Sequence, residues 1–184
     1  MPARDSLLDA AYEALRHKPW RTVRMVDVAA AAGVSRQTLY NEFGSKDGLA
    51  RALVRRETDT YLAGADRALA EGGLSSLAEW TVVAARSNAL VHALLTGCWS
   101  PSLPSPPLAA VPSASPLPAQ RRAAGPLPSP GELLALVRDR AAAFAAWTRQ
   151  DCDLALRLAL SCVLAPAGDG GVRRLVRETL GSTA

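Results

Sequence analysis

The sequence predicts an all-α protein: an N-terminal three-helix helix-turn-helix domain, joined by a long helix to a C-terminal helical domain. Apolar residues recur at i, i+3, i+4 and i+7 in one segment after another, the stripe that a helix buries. Residues 33–46, GVSRQTLYNEFGSK, have the parts of a tight turn, a short outward-facing helix and an exit. Charge is placed to match. Residues 1–56 hold ten Lys/Arg against six Asp/Glu, while residues 57–184 hold eleven of each, so the whole net charge of +4 lies at the N-terminal end. A module that binds a polyanion needs that distribution.

In chain order, Ser6 with Asp9 predicts a capping box, followed by Leu8, Ala11, Tyr12 and Leu15 on one face. His17-Lys18-Pro19 stops this first helix, and Trp20 covers the end of a small core. A second helix starts near Thr22 to Arg24 and carries Met25, Val28, Ala29 and Ala32, small residues that let short helices cross closely. Gly33 gives the turn a permissive backbone. Ser35 is the N-cap of the third helix, Val34 and Leu39 hold the staple positions, and Leu39 and Phe43 face inward. Arg36, Gln37, Tyr40 and Asn41 are left on the outward face, none acidic and all hydrogen-bond donors. A two-turn helix with that face suits a major groove.

Gly44 ends the third helix and Ser45 caps the fourth, whose Leu49, Ala52, Leu53, Tyr61, Leu62, Ala65 and Leu69 carry it to about residue 70. Glu71-Gly72-Gly73 ends it, and an apolar helix follows from Leu74 to about Leu95. Ten of the 13 prolines lie in 101–130, so this stretch holds no long helix, at most a turn around 119–124. Leu133, Val137, Phe144 and Trp147 then line one face of a helix ending near Arg149, and another helix opens at Asp151. That helix is apolar on both faces: Leu154, Leu158 and Cys162 on one, Leu156, Leu160 and Val163 on the other. A helix of this kind must be covered twice. With Val172, Leu175 and Val176 of a last helix after a turn at 166–171, these residues are the candidate interface for a second copy. The domains expected are residues 1–48 and 49–184, with a Pro-rich loop at about 97–131.

Cys98, Cys152 and Cys162 form no CxxC pair, no apolar run reaches membrane-span length, and Arg4, Asp5 and Asp9 precede any signal-like run. The expectation is a cytoplasmic protein without membrane association, disulfides or cofactor, and with no metal ligand set. No nucleophile–base pair or phosphate loop is visible, so an enzyme is not expected. Trp80, Asn88, His92, Trp99, Phe144 and Trp147 are the residues able to line a mostly apolar ligand pocket.

Residues 6–56, above all DVAAAAGVSRQTLYNEFGSKDGLARAL, resemble the DNA-binding domain of the TetR family of transcriptional regulators. The specific part is Ala29, then Ala32-Gly33-Val34-Ser35, Thr38-Leu39-Tyr40, Phe43 and Ser45-Lys46 at the family's spacing. The resemblance implies a homodimer with a C-terminal ligand-binding and dimerisation domain. It implies Arg36 and Gln37 as base readers and Thr38, Tyr40 and Lys46 as phosphate holders; Ser35 and the outward-facing Asn41 complete the residues expected on double-stranded DNA. Arg24 stands where the family often has Ser or Thr and can still hold a phosphate. The family often has an aromatic at Asn41 and a His at Glu42, and an acidic Glu42 is expected to turn off the groove. The Pro-rich segment replaces middle helices that commonly build the ligand pocket. The function implied is a repressor released from a near-palindromic operator by a small molecule. The alternative is a ligand-binding or protein-interaction protein whose helix-turn-helix does not bind an operator.

Overall fold

Short polar residues set where the helices begin. The side-chain oxygens of Ser35, Asn88, Ser129 and Thr148 each accept from backbone amides of the turn that follows, which satisfies donors that a helix start leaves open. The computed structural model describes residues 3–104, 127–145, 147–166 and 171–181. The turn expected around 119–124, most of the Pro-rich segment and residues 167–170 lie outside them. The elements are α1 (Ala3–His17), a 3-10 turn (Trp20–Thr22), α2 (Met25–Ala31), α3 (Arg36–Phe43), α4 (Lys46–Ser87), α5 (Ala89–Thr96), α6 (Pro130–Phe144), α7 (Arg149–Leu164) and α8 (Gly171–Leu180). Among the described residues there are helices and turns and no strands, so the fold is all-α as predicted. None of these helices is long and apolar enough to cross a membrane.

The described residues fall into two compact units. One takes the described parts of Met1–Arg56 and Trp99–Leu127, the other those of Glu57–Cys98 and Pro128–Ala184. In the first, α1, α2 and α3 pack pairwise around Leu7, Leu8, Ala11, Val28, Ala29, Leu39 and Leu53, with Trp20 closing one end. The Trp20 amide donates to the Ser102 carbonyl at 2.8 Å. The cap expected at Ser6 is not used. α1 begins at Ala3 and has Asp5 in its first turn, where a carboxylate meets the positive end of the helix dipole. Asp9 is instead taken by Arg56, Nη1 to Oδ1 2.6 Å.

In the second unit α4 breaks at Gly72–Gly73, where Gly73 has φ +65°, and its two limbs lie side by side. Tyr61 Oη pairs with Thr81 Oγ1 at 3.1 Å, and Trp80 Nε1 donates to the Tyr61 carbonyl at 3.1 Å. The limbs approach closely because residue 64 is glycine: a Cβ there would lie 2.1 Å from the Trp80 ring. The apolar helix expected from Leu74 to Leu95 is not continuous. Asn88 adopts an extended backbone (φ −135°, ψ 110°), accepts from the amides of Leu90 and Val91 and starts α5 afresh. Its Nδ2 donates to Glu57 Oε2 at 2.8 Å. The start expected at Asp151 is corrected too: α7 begins at Arg149, capped by Thr148, and Asp151 completes a capping box. α6 packs on α5 and α7, and α7 on α8. Ion pairs tie this unit together at its surface, Arg140 to Asp66 at 2.7 Å and Arg173 to Glu79 at 2.5 Å.

Candidate nucleic-acid interface

The outward helix α3 is fixed at both ends. Gly33, at φ +68°, lets the chain reverse after α2, and the Val34 amide donates to the Ala29 carbonyl at 3.1 Å. Ser35 Oγ accepts from the Thr38 amide at 3.0 Å and pairs with Thr38 Oγ1 at 2.8 Å. At the far end the Gly44 amide donates to the Tyr40 carbonyl, and the Ser45 amide to the Phe43 carbonyl, both at 2.8 Å. Gly44 (φ 71°, ψ −42°) is thus the centre of a γ-turn. Ser45 Oγ accepts from the Gly48 amide at 3.1 Å and so caps α4. A Cβ at residue 48 would sit 1.9 Å from the Phe43 carbonyl oxygen, so only glycine lets α4 start this close to α3.

Leu39 and Phe43 are buried, which sends Arg36, Gln37 and Asn41 to solvent and leaves Tyr40 and Thr38 half-covered. The outward residues are paired along the helix. The Arg36 guanidinium lies over the Tyr40 ring, 5.5 Å from its centroid, and Gln37 Nε2 donates to Asn41 Oδ1 at 2.8 Å. Glu42 does not join this face: Arg4 Nη1 stands 3.6 Å from its Oε2, and the Arg4 guanidinium lies over the Phe43 ring at 4.8 Å. Sequence reasoning missed Arg4, because its partners are 38 residues away and no local pattern joins them.

Two further site residues have protein partners of their own. Arg24 grips Asp27 with two bonds, Nε to Oδ2 and Nη2 to Oδ1, each 3.0 Å. Lys18 approaches the same carboxylate at 3.4 Å. The Arg24 hydrogen bonds hold the Asp27 carboxyl below its ordinary pKa, and the same bonds raise Arg24. Lys46 Nζ donates to the Arg21 carbonyl at 3.1 Å and lies 5.6 Å from the Trp20 ring centroid. Partial burial lowers its ammonium pKa. Lys46 therefore ties the start of α4 to the 3-10 turn.

The six pocket residues are not gathered into one lining. Trp80 packs on Gly64 and borders an open, charged groove of about 320 Å³ with Arg67, Glu71, Glu79 and Arg173. Asn88 is the α5 cap, and His92 is half-buried beside Thr96, whose hydroxyl donates to the His92 carbonyl at 2.7 Å. Phe144 does not line the buried face of α6, as its spacing predicts. That face is Leu133, Val137 and Ala141, whereas Phe144 is 54% exposed at the end of the helix and stacks with Trp147, centroids 6.4 Å apart. Trp99 belongs to the other unit. Of the interface residues, Leu156, Cys162, Val172 and Val176 are buried within the chain's own core, and Leu154, Leu158, Leu160, Val163 and Leu175 are half-covered. Leu164, which the sequence reading left out, is 71% exposed.

The fold and this face define a helix-turn-helix protein. Residues 7–53 match the family model for bacterial regulatory proteins of the tetR family. The chain is 40% identical over 111 residues to the HTH-type transcriptional regulator AlkX of Mycobacterium tuberculosis (strain ATCC 25618 / H37Rv), covering 54% of this chain and 50% of that relative. Two uncharacterized HTH-type transcriptional regulators of the same species are 43% identical over 56 residues, 30% of this chain and 28% of each relative. The matches thus span half the length of the curated relatives or less. Among solved structures, the TetR family repressor AlkX from Dietzia sp. strain DQ12-45-1b, described as implicated in biodegradation of n-alkanes, superposes with a TM-score of 0.51 at 21% identity. That superposition covers 97% of this chain and 91% of that one, and the likeness is one of fold. The family resemblance is thus carried by residues 7–53.

Proposed function

We propose that the protein is a sequence-specific DNA-binding transcriptional regulator, a repressor that leaves its operator when a small molecule binds the C-terminal unit. The observation that carries the reading is the outward face of α3: a capped two-turn helix presenting Arg36, Gln37, Tyr40 and Asn41, with its one carboxylate drawn aside by Arg4. Arg36 suits bidentate pairing with guanine O6/N7 and Gln37 with adenine N6/N7, each worth about 1–3 kcal/mol of discrimination. Thr38, Tyr40, Lys46 and Arg24 serve the phosphates, which set register without reading sequence. The Arg21 carbonyl and the Asp27 carboxylate hold Lys46 and Arg24 in place.

The partner is a second copy, and the operator a near-palindrome with half-sites a whole number of helical turns apart. Four of the interface residues are already covered within the chain. The apolar surface left for the twin is therefore Leu154, Leu158, Leu160, Val163 and Leu175, with exposed Leu136 and Leu164 beside them in sequence or on the neighbouring helix. Ligand release is a population shift and needs a molecule that binds the two states with different affinity. The Dietzia AlkX repressor is described as implicated in biodegradation of n-alkanes, and n-alkanes are the compounds to try first.

The test is titration of the promoter DNA beside the protein's own gene. Arg36→Ala is expected to flatten preference for that DNA over random sequence, and Lys46→Ala to weaken both alike. Equal losses on both DNAs for both variants would contradict the assignment of roles. A wild-type protein with no specific complex would favour a ligand-binding or interaction role without an operator.

A further inference from the structure

Gln37 and Asn41 occupy adjacent turns of α3, both are exposed, and their amides are joined by a 2.8 Å hydrogen bond. An isolated glutamine side chain on a helix surface samples many rotamers and must be ordered when it meets a base. Here the neighbouring amide holds it beforehand, and nothing else in the chain is bonded to either group's outer side among the described contacts. Pairing also changes what the two amides can offer. Separately, each carries one carbonyl oxygen and one NH2 group. Once joined, one amide has a lone pair of its oxygen engaged and keeps both N–H groups free to point outward. The other keeps its oxygen and one N–H. This division holds whichever way the two amides are turned, so it does not depend on telling amide oxygen from nitrogen.

We propose that Gln37 and Asn41 read DNA as one coupled unit, so that Asn41 sets the base preference of Gln37 as well as its own. The inference rests on the DNA-reading function proposed above. The amide with a free oxygen and N–H matches the N6 donor and N7 acceptor of adenine. The accepting amide, with both N–H groups free, matches an acceptor edge, guanine O6/N7 or thymine O4, on a neighbouring base pair. The unit therefore selects a step of adenine next to an acceptor-rich base. Arg36, held over Tyr40, forms a second i,i+4 pair and reads separately.

The experiment starts from a random duplex library, from which the wild-type protein selects its preferred site. Competition binding against every single base-pair change of that site is then measured for wild type, Gln37→Ala, Asn41→Ala, the double variant and Arg36→Ala. Both positions are exposed, so the thermal midpoints should match and folding does not confound the result. Coupling predicts that Gln37→Ala and Asn41→Ala each lose roughly tenfold to a hundredfold discrimination at the same base pairs. It also predicts that the double variant loses no more than the larger single loss, while Arg36→Ala affects a different position. Losses at different base pairs that multiply in the double variant would overturn the coupling and leave the DNA-reading function standing. A library in which wild type enriches no site would overturn both.

Discussion

At the residue scale, the start of α3 depends on Ser35, a small group with two bonds. Its hydroxyl accepts from the Thr38 amide and holds the Thr38 hydroxyl, so Ser35→Ala opens an amide at the helix start and releases the Thr38 side chain. The variant is expected to lose about 1 kcal/mol of stability in a denaturant titration; an unchanged midpoint would mean the cap contributes nothing. Tyr61 gives a second residue-scale prediction. Burial pushes its phenol up to about 12, and the Thr81 hydroxyl only partly offsets that. The unfolded phenol titrates near its ordinary value of about 10. A folded value raised above the unfolded one gives a contribution fully present below pH of about 10 and lost as pH rises through about 12. Wild type should therefore lose stability across that window faster than Tyr61→Phe, read from urea midpoints at a series of alkaline pH values. Parallel curves for the two proteins would count against a buried neutral phenol. Ser35 was legible in the sequence because capping is local. The pairing of Arg4 with Glu42 was not, because only the folded domain brings α1 against the last turn of α3.

Elements were legible wherever a stop was written in glycine or proline. Gly33, Gly44 and the Gly72–Gly73 pair all fall where a helix ends or breaks. What the sequence hid was the break at Asn88, an asparagine inside an apolar run that the period continues across. The physical reason is that Asn88 has two uses at once: it caps α5 and bonds buried Glu57. Asn88→Ala removes both, leaving a buried carboxylate with one partner fewer, and is expected to cost about 1–3 kcal/mol. A thermal midpoint within error of wild type would refute that double role. Phe144 is the converse case. Its spacing places it on the stripe of Leu133 and Val137, yet the helix ends there and the ring is left to stack on Trp147. Periodicity predicts which way a side chain points, but not whether anything is there to meet it.

For the whole molecule, the sequence made plain the basic N-terminal unit and the helical remainder, and the structure resolves which apolar residues are already covered. The doubly apolar pattern of α7 is only half explained by its own neighbours: Cys152, Ala155, Leu156, Ala159 and Cys162 are buried, while Leu160 and Val163, and with them Leu154 and Leu158, stay half-covered. If those half-covered residues meet a twin, Leu158→Glu should convert a dimer to a monomer in sedimentation velocity, with an unchanged helical spectrum. It should also weaken operator binding, since each half-site would then be bound alone. A dimer that survives the charge would place the interface elsewhere. The central claim is that α3 reads sequence in DNA, and binding measured across a range of salt on two duplexes of equal length tests it most directly. One duplex carries the promoter beside the protein's own gene, and the other is random. The account predicts affinity that falls steeply with salt on both duplexes, and at physiological salt a promoter complex at least about a thousandfold tighter than the random one. Equal affinity for the two duplexes at every salt concentration would contradict it.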